Sequence, residues 1–125
     1  MIPNAVLTAA KEAGPRRLGA IDFTHLDHYT AGDAQVKRDV LQIFRTQASE
    51  WVSTLEPDMS DQDWHHLAHS LKGSARGVGA FEFARIAETA EKLMGAQMAA
   101  KRQALLDHLN DELIRVLTEI DRVLQ

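Results

Sequence analysis

The stretch "SDQDWHHLAHSLKGSARGVGA", residues 60–80, contains a helix and both of its limits. Ser60 carries the hydroxyl that caps a helix N-terminus. Asp61 and Asp63 put negative charge in the first turn, where the helix dipole favours it. Trp64, Leu67, Ala68, Leu71, Ala75 and Val78 then recur at the three- and four-residue steps of one apolar face. The two glycines of "GVGA" predict the end, because residues so free in the backbone break a helix unless packing holds them.

The same period fills most of the chain on either side. Val36, Val40, Ile43, Phe44, Trp51 and Leu55 predict a helix from Asp33 to about Leu55, ended by Pro57. Phe81, Phe83, Ile86, Ala87, Ala90 and Leu93 predict another, punctuated by Gly95. Leu105, Leu109, Leu113, Leu117, Ile120 and Leu124 predict a last one over roughly 98–124. "IPNAVLTAAKEA" reads as a short N-terminal helix ended by Gly14 and Pro15, and "IDFTHLDHYTAGD" as a helical turn broken at Gly32. No run alternates long enough for a strand. The expected fold is all-α: an antiparallel four-helix bundle with additional short N-terminal helical segments. Residues 1–20 read as an N-terminal extension and residues 21–125 as the bundle.

At 125 residues the chain suits one domain with a real core. A net charge of −4 argues against a general nucleic-acid binder, which needs a basic surface. There is no cysteine, which excludes disulfides and thiolate metal sites and fits a reducing cytoplasm. No apolar run has membrane-spanning length and no secretory signal is present, so the expectation is a cytoplasmic protein without membrane contact. The start at Met1 reads as that of a free-standing chain. The leucine repeat of the last helix is explained by packing inside one bundle, so a monomer is expected in preference to a coiled-coil dimer.

The polar face of the 60–80 helix carries the chemistry. His65, His69, Lys72 and Arg76 are spaced by four, three and four and form one stripe. His69 lies about opposite Leu67 and Leu71, so its imidazole is expected in solvent. Gly73, one turn on, leaves bare surface beside the ring. A glycine inside a helix costs about 1 kcal/mol against alanine, so room for an incoming group is a benefit that offsets it. Neutral imidazole attacks a phosphoryl group through Nε2. Lys72 is placed to stabilise the added negative charge, and Arg76, a turn farther, adds positive field.

"HSLKGSARGVGA", residues 69–80, resembles the core motif of histidine-containing phosphotransfer (HPt) domains. The resemblance places the phosphorylatable histidine at His69, the apolar residue at Leu71, the supporting cation at Lys72 and the small residue at Gly73. Ser74, Ala75 and Gly79 also fit. It implies that His69 takes a phosphoryl group from an aspartyl phosphate on one receiver domain and passes it to an aspartate on another. Such a carrier has no ATP-dependent kinase activity and needs no cofactor, Mg²⁺ belonging to the receiver. The implied partners are receiver domains of response regulators and a hybrid histidine kinase. Family members often carry an amide or acid on the next helix that bonds the other ring nitrogen. Counting along the motif puts that position at Glu91, where several relatives have Gln. Glu91 either accepts from Nδ1–H of His69 or is solvated and paired with Lys92 or Arg85; both readings stand equally at this point.

Plainer readings compete. His65 and His66 read as surface residues flanking the stripe, and His25, His28 and His108 have no motif around them. A metal site on His65 and His69, with Asp61 or Asp63 adding oxygen, is the sharpest rival. Lys72 would repel the ion, however, and no second ligand set with metal spacing stands out on another helix. "KGSARG" lacks the glycine and Lys-Ser/Thr spacing of a phosphate-binding loop. A helical adaptor that binds a receiver or kinase without carrying phosphate is the other class of function. Residues 21–30 are a candidate contributor to the partner surface.

Overall fold

The computed structural model describes residues 19–125. The expected helix in "IPNAVLTAAKEA" lies outside the described residues. Within them the order is α1 (Phe23–Tyr29), α2 (Ala34–Thr54), α3 (Asp61–Val78), α4 (Phe81–Glu91), a 3₁₀ turn (Ala96–Met98) and α5 (Ala99–Leu124). There is no strand among the described residues. Helices α2 to α5 form a ring in which each packs on two neighbours, and α1 lies against α3. This is the all-α bundle that the periodicity predicts.

Local chemistry sets the helix limits. Ser60 Oγ accepts from the Asp63 N–H at 3.1 Å, and Asp33 does the same for Val36 at 2.9 Å. α3 ends at Gly79, whose φ of 88° is a left-handed conformation, and the Ala80 N–H closes the end on the Ala75 carbonyl at 2.8 Å. Glycine is also required there for space, since a Cβ would stand 2.7 Å from the Asp22 carbonyl oxygen. In turn the Asp22 N–H donates to the Gly79 carbonyl at 2.9 Å. One residue thus stops α3 and seats the start of α1.

The interior is built on Trp64, Phe83, Leu41, Leu71, Ile86, Leu109 and Ile120, all fully buried. Removing one such side chain from water contributes about 1.5–3 kcal/mol. The indole N–H of Trp64 donates to the Ala90 carbonyl at 2.7 Å, which clamps the start of α3 to the end of α4. Arg102 closes the same end of the bundle. Its guanidinium bonds the carbonyls of Leu93, Pro57 and Met59 and the Asp61 carboxylate, and it lies over the Trp64 ring at 4.8 Å. Gly95 also donates its N–H to Asp61, which together with Arg102 holds the Asp61 carboxyl below its usual range against the opposing effect of burial.

The apolar stripe of α2 is rotated from the expected one. Leu41, Phe44, Ala48 and Val52 face the core, whereas Val36 and Ile43 are exposed and Val40 and Trp51 are half-buried. Two apolar stripes run side by side on this helix, and contact with α5 and α3 selects one of them. On α5, Leu106 and Val116 are buried while Leu105, Leu117 and Leu124 sit at the edge. Phe81 is exposed, with its ring edge-on to His25 at 5.0 Å. No described helix is long and apolar enough to cross a membrane.

Candidate functional site

The site lies where the polar face of α3 meets the C-terminal end of α4. The Trp64 clamp makes the two helices antiparallel here, so Glu91, the last residue of α4, comes opposite the second and third turns of α3. His69 is 63% exposed at its side chain, in line with its position opposite Leu67 and Leu71. A Cβ on Gly73 would meet nothing within 4 Å, so the surface next to the ring is open.

Glu91 reaches two partners at once. One carboxylate oxygen, Oε2, accepts from Lys72 Nζ at 3.1 Å; the other, Oε1, stands 3.5 Å from His69 Nδ1. Glu91 and Lys72 are each only 12% exposed at their side chains. Burial alone would raise the Glu91 carboxyl. The hydrogen bond and charge of Lys72, with smaller contributions from His69 and His65, outweigh burial and hold it below the usual carboxylate range. It is therefore ionised at neutral pH and purely an acceptor. Oε1 is buried and has no hydrogen-bond partner, because 3.5 Å from His69 is too long for one.

The contacts of Glu91 differ from both readings: it is buried instead of solvated, and it stands beside His69 Nδ1 without a hydrogen bond to it. Arg85 is bonded to Glu82 and does not reach it, and the cation beside it is Lys72. The Lys72 ammonium, expected to support the added negative charge, is ion-paired with Glu91 and mostly covered. Arg76, beyond Gly73, pairs with Glu88 at 3.4 Å and stays exposed. His65 is more involved than its reading as a surface residue implied. Its ring stacks on His69 at 5.9 Å between centroids, and its Nδ1 lies 3.2 Å from the Glu91 backbone oxygen. A carbonyl oxygen only accepts, so this contact puts the proton on Nδ1 and leaves the Nε2 lone pair free. The sequence signal for it was the four-residue spacing to His69. Among the described residues, His65, His69 and Glu91 each bring one donor atom within 4.8 Å of the others.

On the side toward α1, Tyr29 covers Gly77, where a Cβ would come 3.3 Å from the phenol oxygen. Tyr29, Val40, Ile43, Gln47 and Ser74 line a shallow groove of about 250 Å³ between α2 and α3. Tyr29 and Ile43 are more than half exposed.

The Hpt domain family profile matches residues 39–122. Among curated proteins nothing matches. Among solved structures, the chain is similar to the histidine phosphotransferase ShpA from Caulobacter crescentus, with 34% identity and a TM-score of 0.56. That likeness covers 86% of this chain and all of that one. With the profile spanning most of the bundle and this relative matched over its full length, the chain belongs to the Hpt domain family.

Proposed function

We propose that the chain relays phosphoryl groups between receiver-domain aspartates, with His69 as the carrier. The observation that carries this is the exposed His69 ring beside open space at Gly73, backed by an ionised carboxylate on its Nδ1 side. In the accepting step the Nε2 lone pair attacks phosphorus and an N–P bond forms. The bond from phosphorus to the aspartyl oxygen breaks, and the receiver recovers its carboxylate. The ring keeps its Nδ1 proton and becomes a cation. Glu91 Oε1, so far without a hydrogen bond, then faces a charged N–H donor and can close in on it. Lys72 keeps that carboxylate ionised and in place, and its ammonium offsets phosphoryl charge. The return step reverses these movements.

The groove beside Tyr29 and Ile43 supports the same reading. Ser74 puts it on α3 about 8 Å along the helix from His69, at 1.5 Å per residue. A receiver that covers the exposed Tyr29 and Ile43 side chains would bring its acidic pocket over the histidine. The test is to incubate the chain with a phosphorylated receiver and Mg²⁺, then assay for acid-labile, base-stable phosphate. Label on His69 that is lost in His69→Gln is expected. Absence of label on a folded wild-type chain, across a panel of receivers, would favour the adaptor reading.

A further inference from the structure

We propose that His65, His69 and Glu91 form a binding site for a first-row transition-metal dication of the zinc class, one that closes the phosphoacceptor. Their donor atoms come from two helices and lie within 4.8 Å of one another. Tetrahedral zinc with bonds of about 2.0–2.1 Å sets its ligands about 3.3 Å apart. His69 Nδ1 and Glu91 Oε1, at 3.5 Å, already stand close to that separation, although they make no hydrogen bond. Oε1 is a buried carboxylate oxygen with no hydrogen-bond partner, facing the His69 imidazole. His65 has the arrangement usual for a zinc-bound histidine, with its Nδ1–H held by a backbone carbonyl and Nε2 left as the donor. Two imidazoles and one carboxylate, with the fourth position open through the exposed side of His69, suit zinc. They do not suit Mg²⁺, which prefers oxygen ligands and its own water.

The Glu91 carboxylate that would hold the ion is the one facing the His69 ring, and Lys72 opposes the ion from 3.1 Å on Oε2. Binding would take a lone pair of the acceptor ring or the carboxylate behind it, and either loss hinders phosphoryl acceptance. This consequence rests on the phosphotransfer reading, whereas metal binding itself does not. Sequence spacing could show only the two histidines on α3; the third ligand arrives through the packing of α4.

The experiment uses tag-free full chain, titrated calorimetrically with Zn²⁺ and, for a spectrum, with Co²⁺, in millimolar Mg²⁺. One zinc per chain is expected, with submillimolar or tighter affinity, weakened at least about tenfold in His65→Ala and in Glu91→Gln and unchanged in His66→Ala. Cobalt should give the intense visible bands of a four-coordinate ion. Phosphoryl acceptance by wild type in zinc, relative to its own rate in zinc-free buffer with the same Mg²⁺, should fall, and His65→Ala should show less of that fall. No saturable binding, binding that His65→Ala leaves intact, or equal weakening by His66→Ala would each overturn the site. Binding without inhibition would overturn the closure. Absence of acceptance in zinc-free buffer with Mg²⁺ would count against the phosphotransfer reading alone.

Discussion

The Glu91 carboxylate stands between Lys72 and His69, 3.1 Å from the ammonium and 3.5 Å from Nδ1 of the ring. A helix end has thereby placed one anion to serve two residues of the neighbouring helix. Each partner makes a separable demand on it.

For His69 the demand is an acceptor behind the ring. Glu91→Ala removes it, and loss of the charge-assisted hydrogen bond that closes as the ring becomes a cation, worth about 1.5–3 kcal/mol, slows acceptance by about ten- to a hundredfold. Glu91→Gln keeps an amide oxygen able to accept from Nδ1–H, so its rate should lie closer to wild type. Stopped reactions with a phosphorylated receiver measure both. An alanine variant as fast as the wild type would remove Glu91 from the mechanism.

Lys72→Ala should slow transfer by about 10² or somewhat less, the effect of one electrostatic donor at a partly open site. Because Lys72 also holds Glu91, the double variant Lys72→Ala with Glu91→Ala should lose less than the sum of the single losses. Strict additivity in single-turnover rates would mean that the two act independently.

The Lys72–Glu91 pair also sets a pH dependence. The Glu91 carboxyl lies below its usual value in the folded chain, so its stabilising effect is complete above the ordinary carboxylate range. The effect is lost as pH falls through the lowered value. Denaturant unfolding should therefore show a stability difference between wild type and Glu91→Gln that shrinks as pH falls below about 5. A difference that grows below that pH would contradict this sign.

At Gly73 fold and function should separate. A Cβ there meets nothing, so Gly73→Ala should stabilise the helix by about 0.5–1 kcal/mol. Gly73→Leu should leave helix content the same or higher by circular dichroism, yet hinder receiver docking. Normal transfer from receivers to the leucine variant would show that the open surface is not used.

Arg102→Met should destabilise the chain without touching His69. It leaves three carbonyls that the guanidinium now satisfies. The cost should be about 3 kcal/mol, within the range for a broken buried charge network, and it should appear as a melting-temperature drop of about 10 °C.

Much of this molecule could be read from residue order. The limits of α3 follow from Ser60 and Gly79, and the exposure of His69 follows from its angular offset from Leu67 and Leu71. Both are consequences of helix geometry within a few residues. Other features depend on contacts that no local pattern encodes. Which of two apolar stripes of α2 turns inward was decided by the neighbours that accept Leu41 and Ala48. Arg102 reads as an ordinary charge until the ends of α3 and α4 converge on it.

By itself, then, the sequence determined a helical bundle and a nucleophilic imidazole beside a bare turn, because the three- and four-residue periods and capping residues act over distances shorter than one helix. Only the tertiary structure decided which anion stands behind that imidazole. Glu91 is 22 positions from His69 along the chain, and the indole of Trp64, bonded to Ala90, brings the end of α4 to it. Side-chain partners between helices depend on the rotation and offset of the packed pair, which the summed burial of all four helices sets.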